Sequence, residues 1–541
     1  MQSSSDREMR RRLTGAVFCT AIILTLQVVL AADTFRDRFL NTAVYHYFYD
    51  NAFFTAAARR ANTIGWPANR CGVVFQGPCA AWGEPGPPHQ FYSHHPYGVK
   101  VLMQHAMLFS GYSEAASRGF SLAVSMCAAV GMLATLSLLS GSMISGTIGA
   151  AVLVSLPVMA LYQTCVKFEI DGMAAAAWVF PAIVSFVDHQ NNMRRTMLIG
   201  IGIGCAVSSW TGMMFGGLVS AALVASGSAG VVKKDCQTYR AAGLWLASGI
   251  VAGIMLLLSL FVWQKGGILE FASDVGGAFR VHAERAGFTN GEWVIRQRDY
   301  MFANLGYAGL ALLGCGLVLS VRTILQPEPR RIDGSTKFSS PWLLALFLQV
   351  SMVTAVLWVV VFREGSYVHE YWSMPGCMPI AATATMLIAA APTRRRLAAS
   401  AIGALVVLAM YLLAWHHLAS RLEAMRSEGT GPDIDFLRSF QQERFERFVF
   451  VPLVDHPFNV WFDPRLFEYY TDRTVVPANA AGSVGSGDKV IVLAFTEQLA
   501  AERFVEKQLG VRLLNRLCGP RFCVYDALPP KAEAGGSPVG D

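Results

Sequence analysis

The sequence predicts a mainly α-helical, polytopic membrane bundle of about eleven spanning helices, with a small extracytoplasmic α/β domain at its C-terminal end. Three observations predict it. Of the 541 residues, 53% are hydrophobic and only 15% charged, with mean hydropathy +0.40, whereas a soluble chain usually carries about 25% charge. The apolar residues gather in runs long enough to cross a bilayer, and Lys and Arg cluster between alternate runs. Mixed polar sequence of α/β character returns only after residue 416. This composition excludes an ordinary soluble enzyme, a disordered chain and a secreted disulfide mini-domain. The formal charge of +7 would suit nucleic acid, but its placement is that of membrane orientation, and no nucleic-acid partner is expected.

A spanning helix needs about 20 mostly apolar residues. The candidates are 13–32, 115–139, 142–162, 172–187, 196–210, 211–228, 241–263, 300–321, 341–362, 375–391 and 398–416. The first could be a cleaved signal, since Arg10 to Arg12 precede an apolar core ending at Leu30-Ala31-Ala32. That core of about 18 residues exceeds the usual 7–15, so retention is expected. The fifth and sixth are broken by Ser208, Ser209, Trp210, Thr211 and Gly212, and read either as a tight hairpin of two short helices or as one long tilted helix.

Charge decides between these. With eleven helices and the N-terminus inside, the short cytoplasmic segments receive Arg7, Arg10, Arg11, Arg12, Arg194, Arg195, Lys233, Lys234, Arg240, Arg322, Arg330, Arg331, Lys337, Arg394, Arg395 and Arg396. The short external connections receive only Lys167 and Arg363. Merging the fifth and sixth helices would give every later loop the wrong sign. The long polar segments 33–114, 264–299 and 417–541 then share the outer face. A protein whose soluble mass lies outside is expected to work there, where a transferase would need a donor already activated and carried in the lipid. The domains expected are 1–416, which includes the first external loop 33–114, and 417–541.

The candidate chemistry sits in the external segments. In the first loop, 51–61 reads as an amphipathic helix with Ala52, Phe53, Ala56, Ala57 and Arg60 in register. Asp50 stands at its N-cap position, where a structural role worth about 1 kcal/mol competes with a catalytic one. Before the second membrane helix come His94, His95, Pro96, Tyr97 and Lys100. They could grip a phosphate or form an interfacial aromatic belt. Two short connections add Lys167, Glu169 and Asp171, and then Arg363, Glu364, His369, Glu370 and Tyr371. Ionisable groups at membrane depth are expensive and functional by default, although at a helix end they can also simply reach water. No Cys/His spacing makes a convincing zinc site. Cys71 and Cys79, and Cys518 and Cys523, are two pairs that either form local disulfides or stay free.

In the tail, 489–495 reads as a buried strand, 497–509 as an amphipathic helix and 511–525 as one or two strands around the Cys518-to-Cys523 turn. Residues 478–487 read as a connector, and the chain after 528 as a disordered Pro/Gly-rich end.

The order of these features resembles a family. YDNAFFTAAARRAN opens the first loop, HHPYGVKVLMQHAMLFSGYSEAASR leads into the second helix, FEIDGMAAAAW begins the fourth, and HEYWSMPGCMPIAA closes a late loop. Together they resemble the polytopic GT-C glycosyltransferases that use polyprenyl-phosphate sugars, especially the protein mannosyltransferase and lipid A aminoarabinose transferase branch. The resemblance covers about residues 1–416 and lies in motif order and topology. It implies inverting transfer of a sugar from a polyprenyl-phosphate carrier to an acceptor hydroxyl of a lipid-linked glycan, polysaccharide or protein, in a bacterial inner membrane. Asp50 matches the general base, while Asn51 replaces the second acid of many relatives and bears on any divalent metal, which is not excluded. His369, Tyr371, Arg363 and Lys100 are implied donor-phosphate contacts, with His94, His95, Asp171 and Glu370 as further pocket candidates. The rival expectation is a transporter or lipid flippase with Asp171 and Arg363 as pathway charges, against which stands the lack of an internal repeat.

Overall fold

A computed structural model describes residues 4–36, 49–65, 69–76, 89–91, 95–228, 236–285, 288–325 and 341–427. It also describes 436–440, 443, 445, 447–450, 471, 475–477, 484, 487–493, 498–518 and 522–528. The chain divides into two compact units, one of residues 1–36, 93–109 and 115–423, the other of residues 37–92, 110–114 and 424–541.

The second unit takes much of the first loop and the tail. Helix α1 (Ser4–Ala31) belongs to the first unit, and α2 (Tyr49–Ile64) opens the second. The amphipathic pattern expected for α2 understates its burial, because residues 51–58 are buried all round, including the polar Asn51 and Thr55. Small alanines let neighbours close on several faces, and the Thr55 hydroxyl donates to the Asn51 carbonyl at 2.6 Å. Strands β1 (Val74–Gln76) and β2 (His89–Phe91) pair antiparallel beyond it.

The first unit is helical: α3 (Gly98–Ser110), α4 (Glu114–Ser140), α5 (Met143–Val154), α6 (Pro157–Tyr162), α7 (Phe168–Ala176), α8 (Val179–Asp188), α9 (Asn192–Ser208) and α10 (Trp210–Ser228). Next come α11 (Cys236–Lys265), α12 (Ile268–Arg285), α13 (Asn290–Leu325), α14 (Pro341–Val361), α15 (Arg363–Val368), a 3-10 segment Glu370–Gly376, α16 (Cys377–Ala389) and α17 (Thr393–Ser427). Among the described residues, seven helical stretches are long and apolar enough to span: Leu13–Phe35, Glu114–Ser140, Phe168–Asp188, Gln237–Lys265, Asn290–Leu319, Trp342–Val361 and Arg394–Glu423. This is a multi-pass membrane protein. The remaining candidate runs fall on the shorter α5–α6, α9, α10 and α16.

The breaks have local causes. Pro157 supplies the fixed backbone angle of a first helical position, so the run 142–162 divides into α5 and α6. At the α7–α8 junction the Ala177 carbonyl accepts from the Thr135 hydroxyl at 2.6 Å, which satisfies a group that apolar surroundings would leave stranded. Ser209 is fully extended (φ −169°, ψ 167°) and separates α9 from α10. The two fold back as a hairpin, so a Cβ on Gly216 would meet Cys205 at 3.3 Å. Helix α11 packs backbone to backbone on α9: a Cβ on Gly249 would lie 2.2 Å from the Ile199 carbonyl oxygen, and one on Gly202 2.4 Å from that of Leu246. Small residues commonly allow such close approach in membranes. Phe180, Phe215 and Phe347 fill the bundle interior edge to face, with centroids 5.3–6.4 Å apart.

The tail of the second unit forms a five-stranded sheet from β3 (Arg447–Phe450), β4 (Val475–Pro477), β5 (Asp488–Leu493), β6 (Arg512–Cys518) and β7 (Phe522–Leu528), in the order β4-β3-β5-β7-β6. Strand β3 runs parallel to β4 and β5, while β7 is antiparallel to β5 and β6. Helix α18 (Gln498–Leu509) contributes Val505 to a core with Val449, Val490, Cys523, Tyr525 and Ala527. Across the sheet, Lys489 Nζ lies 2.8 Å from Asp526 and 2.9 Å from Glu443. Cys518 and Cys523 form a disulfide. Cys79 lies outside the described residues, as does most of the connector 478–487.

Candidate functional site

The connection between α6 and α7, Lys167-Phe168-Glu169-Ile170-Asp171, is the spine of the site in the membrane unit. Lys167 holds the extended backbone that precedes a helix, and the Asp171 amide donates to its carbonyl at 3.4 Å, closing the first turn of α7. Lys167, Glu169 and Asp171 are all buried. From the first turn of α3, Lys100 reaches Asp171 with Nζ 2.5 Å from Oδ2, and the two side chains are 2% and 5% exposed. Its ammonium also stands 4.6 Å from the Phe168 ring centre, and His95 stacks on the same ring at 4.7 Å. A buried ion pair of this kind is costly to desolvate, and removing one partner is costlier still.

The other end of the spine meets the late loop. The Lys167 ammonium lies 3.9 Å from the Tyr371 ring centre and 5.7 Å from that of Tyr162. The Tyr162 hydroxyl donates to Glu370 Oε1 at 2.5 Å, while Arg421, on α17, lies 3.2 Å from the other carboxylate oxygen. His369 stacks on Tyr371 at 5.2 Å, and Trp372 stacks on Trp358 at 4.4 Å. One turn of helix thus joins two lysines, two acids and a wall of aromatic rings.

A polar stripe on α13 fixes the late loop. Trp293 donates its indole N–H to the Ser366 hydroxyl at 2.9 Å, and Gln297 donates to the Ser366 carbonyl at 2.6 Å. Tyr300 donates to the Tyr367 carbonyl at 3.0 Å, and Asn304 to the Glu370 carbonyl at 2.7 Å and the Ser373 hydroxyl at 3.0 Å. Positions 293, 297, 300 and 304 share one face of a helix. The face ends at Gly306, whose φ of +68° interrupts the helix.

The structure therefore brings Lys100, Asp171 and His95 together around Phe168, and His369, Glu370 and Tyr371 together around Lys167. Arg363 has different surroundings: its guanidinium lies 5.2 Å from the Phe288 ring centre and 5.3 Å from that of Trp293. Asp50, in the first turn of α2, belongs to the second unit and is half-buried there. His94 lies outside the described residues. Sequence reasoning quoted Lys167 but gave it no role, and passed over Tyr162, Arg421 and the α13 stripe. The spacing Trp-x3-Gln-x2-Tyr-x3-Asn, polar groups at helical period entering an apolar run, was the available signal. Among the described residues no three His, Cys, Asp or Glu side chains gather as a metal site.

No family model matches the chain, and no curated protein matches it in sequence. Solved structures do match in fold. A crystal structure of ArnT from Cupriavidus metallidurans bound to undecaprenyl phosphate covers 94% of this chain and is itself covered over 97%, with TM-score 0.53 and 13% identity. The apo structure of the same protein matches with the same coverage and TM-score at 12% identity. The likeness is one of fold, and at that level it agrees with the GT-C-like architecture expected from the motif order.

Proposed function

We propose that the chain is a membrane glycosyltransferase that moves a sugar from a polyprenyl-phosphate carrier to an acceptor hydroxyl at the outer membrane face, with inversion. The observation that carries this reading is the buried pair of lysines joined by one helical turn, Lys100 against Asp171 and Lys167 against Tyr371. Support comes from the fold, since a solved protein of similar architecture holds undecaprenyl phosphate. In this reading Asp50 accepts the proton of the acceptor hydroxyl, the oxygen attacks the anomeric carbon, and the bond from that carbon to the phosphate oxygen breaks. The lipid phosphate departs with its electron pair.

A departing phosphate gains negative charge, and fixed donors in a water-poor site stabilise that charge more than water would. Lys100, against the Phe168 ring on which His95 stacks, and Lys167, against the Tyr371 ring on which His369 stacks, supply cations. Lys100 donates to Asp171, and the pair fixes where its ammonium stands. The soluble mass, including the sheet domain, stands outside in this reading, and the N-terminus inside.

The test is transfer by purified protein of radiolabelled sugar from undecaprenyl phosphate to a membrane acceptor extract. Asp50→Asn is expected to lower the rate about 10²–10⁴-fold, the usual contribution of a general base, with the thermal unfolding profile unchanged. Full activity in that variant removes Asp50 from the role. Uptake of the intact substrate into proteoliposomes, with no bond made, would favour the transporter reading instead.

A further inference from the structure

The end of the bundle opposite the Lys100–Asp171 pair gathers arginines and aromatic rings that the transferase reading leaves unused. Helices α9 and α11 run side by side in the same direction there. The Arg195 guanidinium lies 5.7 Å from the Trp245 ring centre, a Cβ on Gly249 would lie 2.2 Å from the Ile199 carbonyl oxygen, and one on Gly253 3.1 Å from that of Ile203. Nearer the chain ends of the two helices, Gln190 donates to the Thr238 hydroxyl at 2.8 Å. Tyr239 meets Trp342, at the start of α14, edge to face with centroids 5.9 Å apart. Arg195 and Arg240 are both exposed. Among the described residues neither has a carboxylate partner, and Asp188, at the end of α8, stands 2.7 Å from His189.

Helix α11 measures the distance between the two ends. Its Gln264 donates to the Tyr97 hydroxyl, just ahead of Lys100. At about 1.5 Å per residue, Arg240 stands about 36 Å along the same helix from Gln264. A hydrocarbon core is about 30 Å thick, so Arg195 and Arg240 reach the opposite headgroup layer, where aromatic rings such as Tyr239, Trp245 and Trp342 commonly gather. From Arg240 an apolar face continues in helical register through Leu244, Val251, Met255 and Leu258, which are 41–59% exposed. Ser248 on that face donates its hydroxyl to the Leu244 carbonyl at 2.9 Å, which leaves the face free of an unmet polar group.

We propose that this end of the α9–α11 seam binds an anionic phospholipid of the bilayer, with Arg195 and Arg240 flanking its phosphate and an acyl chain lying along Leu244 to Leu258. Arginine suits phosphate, and the Trp245 ring holds Arg195 at the seam. A zwitterionic headgroup brings its own ammonium to its phosphate and has no net charge to offer two guanidinium groups. A free phosphate lacks the chain that would cover the apolar face. The site is separate from the donor cluster and does not depend on which reaction the protein performs.

Native mass spectrometry of the full chain released from detergent tests it, with phosphatidylglycerol as the anionic probe and phosphatidylcholine of the same acyl chains as the zwitterionic one. Phosphatidylglycerol is expected to be retained in preference. Arg195→Gln and Arg240→Gln should each lower its apparent affinity about fivefold, the usual effect of one basic residue near an anionic headgroup. Arg394→Gln combined with Arg395→Gln makes the same change of charge on α17 as the double variant makes here, and should leave retention unchanged. The proposal is overturned if the native chain retains both lipids equally, or if the Arg195→Gln, Arg240→Gln double variant binds phosphatidylglycerol within twofold of native while keeping its thermal profile. It is overturned equally if the α17 variant loses as much, which would mark a general basic surface, or if inorganic phosphate displaces the lipid, which would mark a soluble-anion site. Because no transfer is measured, a failure here leaves the Asp50 test standing, and the reverse also holds.

Discussion

Lys100 and Asp171 are the most exposed to test of all the residues, because each is buried and each depends on the other. Lys100→Met strands a carboxylate in a water-poor interior and is expected to cost about 3–5 kcal/mol, read as a fall in the thermal midpoint in detergent. Lys100→Met with Asp171→Leu removes both charges and should recover most of that loss, while still failing to bind undecaprenyl phosphate. A double variant as unstable as the single one would show that the pair is not what the single change breaks. In the sheet domain, burial alone would lower the Lys489 value, but hydrogen bonds from Lys489 to Asp526 and Glu443 outweigh it and leave it raised. Burial would likewise raise Asp526, yet Lys489 and Asn515 hold its carboxyl below the usual range. The Asp526 contribution to stability is therefore complete above its ordinary unfolded value and lost as pH falls through the depressed folded one. The Lys489 contribution is complete below the ordinary lysine value and lost as pH rises through the elevated folded one. Hydrogen exchange of residues 488–528 should show a protection plateau between these limits, and Lys489→Met should flatten both edges.

At the scale of elements, α13 is a splint for the late loop. Gln297 and Asn304 are buried, and each satisfies a carbonyl of the loop. Replacing either by Leu leaves that carbonyl unmade, at a cost of about 1–3 kcal/mol, and should open the loop between Arg363 and Gly376 to limited proteolysis. Unchanged cleavage would mean that the loop holds itself. The elements also mark what the sequence can disclose. The break at Ser209 was legible because charge on either side leaves one answer, and the β5, α18, β6 and β7 pattern was legible because each has a local period. The site was legible in parts. Lys100 and Asp171 could each be suspected, but their pairing spans 71 positions, and no local pattern encodes a partner that far away. Arg363 was placed with the donor by motif order alone, and its actual neighbours Phe288 and Trp293 come from a segment that hydropathy marks only as polar.

For the whole molecule, length and composition settle more than identity does. A chain at 13% identity keeps the architecture of ArnT over nearly its full length, because the bilayer constrains where apolar runs begin and end while leaving most surface residues interchangeable. Orientation is the property to measure at this scale. Arg503 is exposed on α18, and Arg503→Cys in intact spheroplasts is expected to react with a membrane-impermeant maleimide above the background of the native chain. Labelling only after lysis would put the sheet domain inside and reverse the charge argument.

The hydrogen bonds from α13 to residues 366–373 also bear on how the protein would meet a ligand in time. A loop tied at four points along one helix face has little to rearrange when something arrives, so its encounter rate should follow lateral diffusion of the lipid and not a slow closure. Viscosity of the bilayer, more than temperature-dependent loop motion, would then govern how fast the site fills.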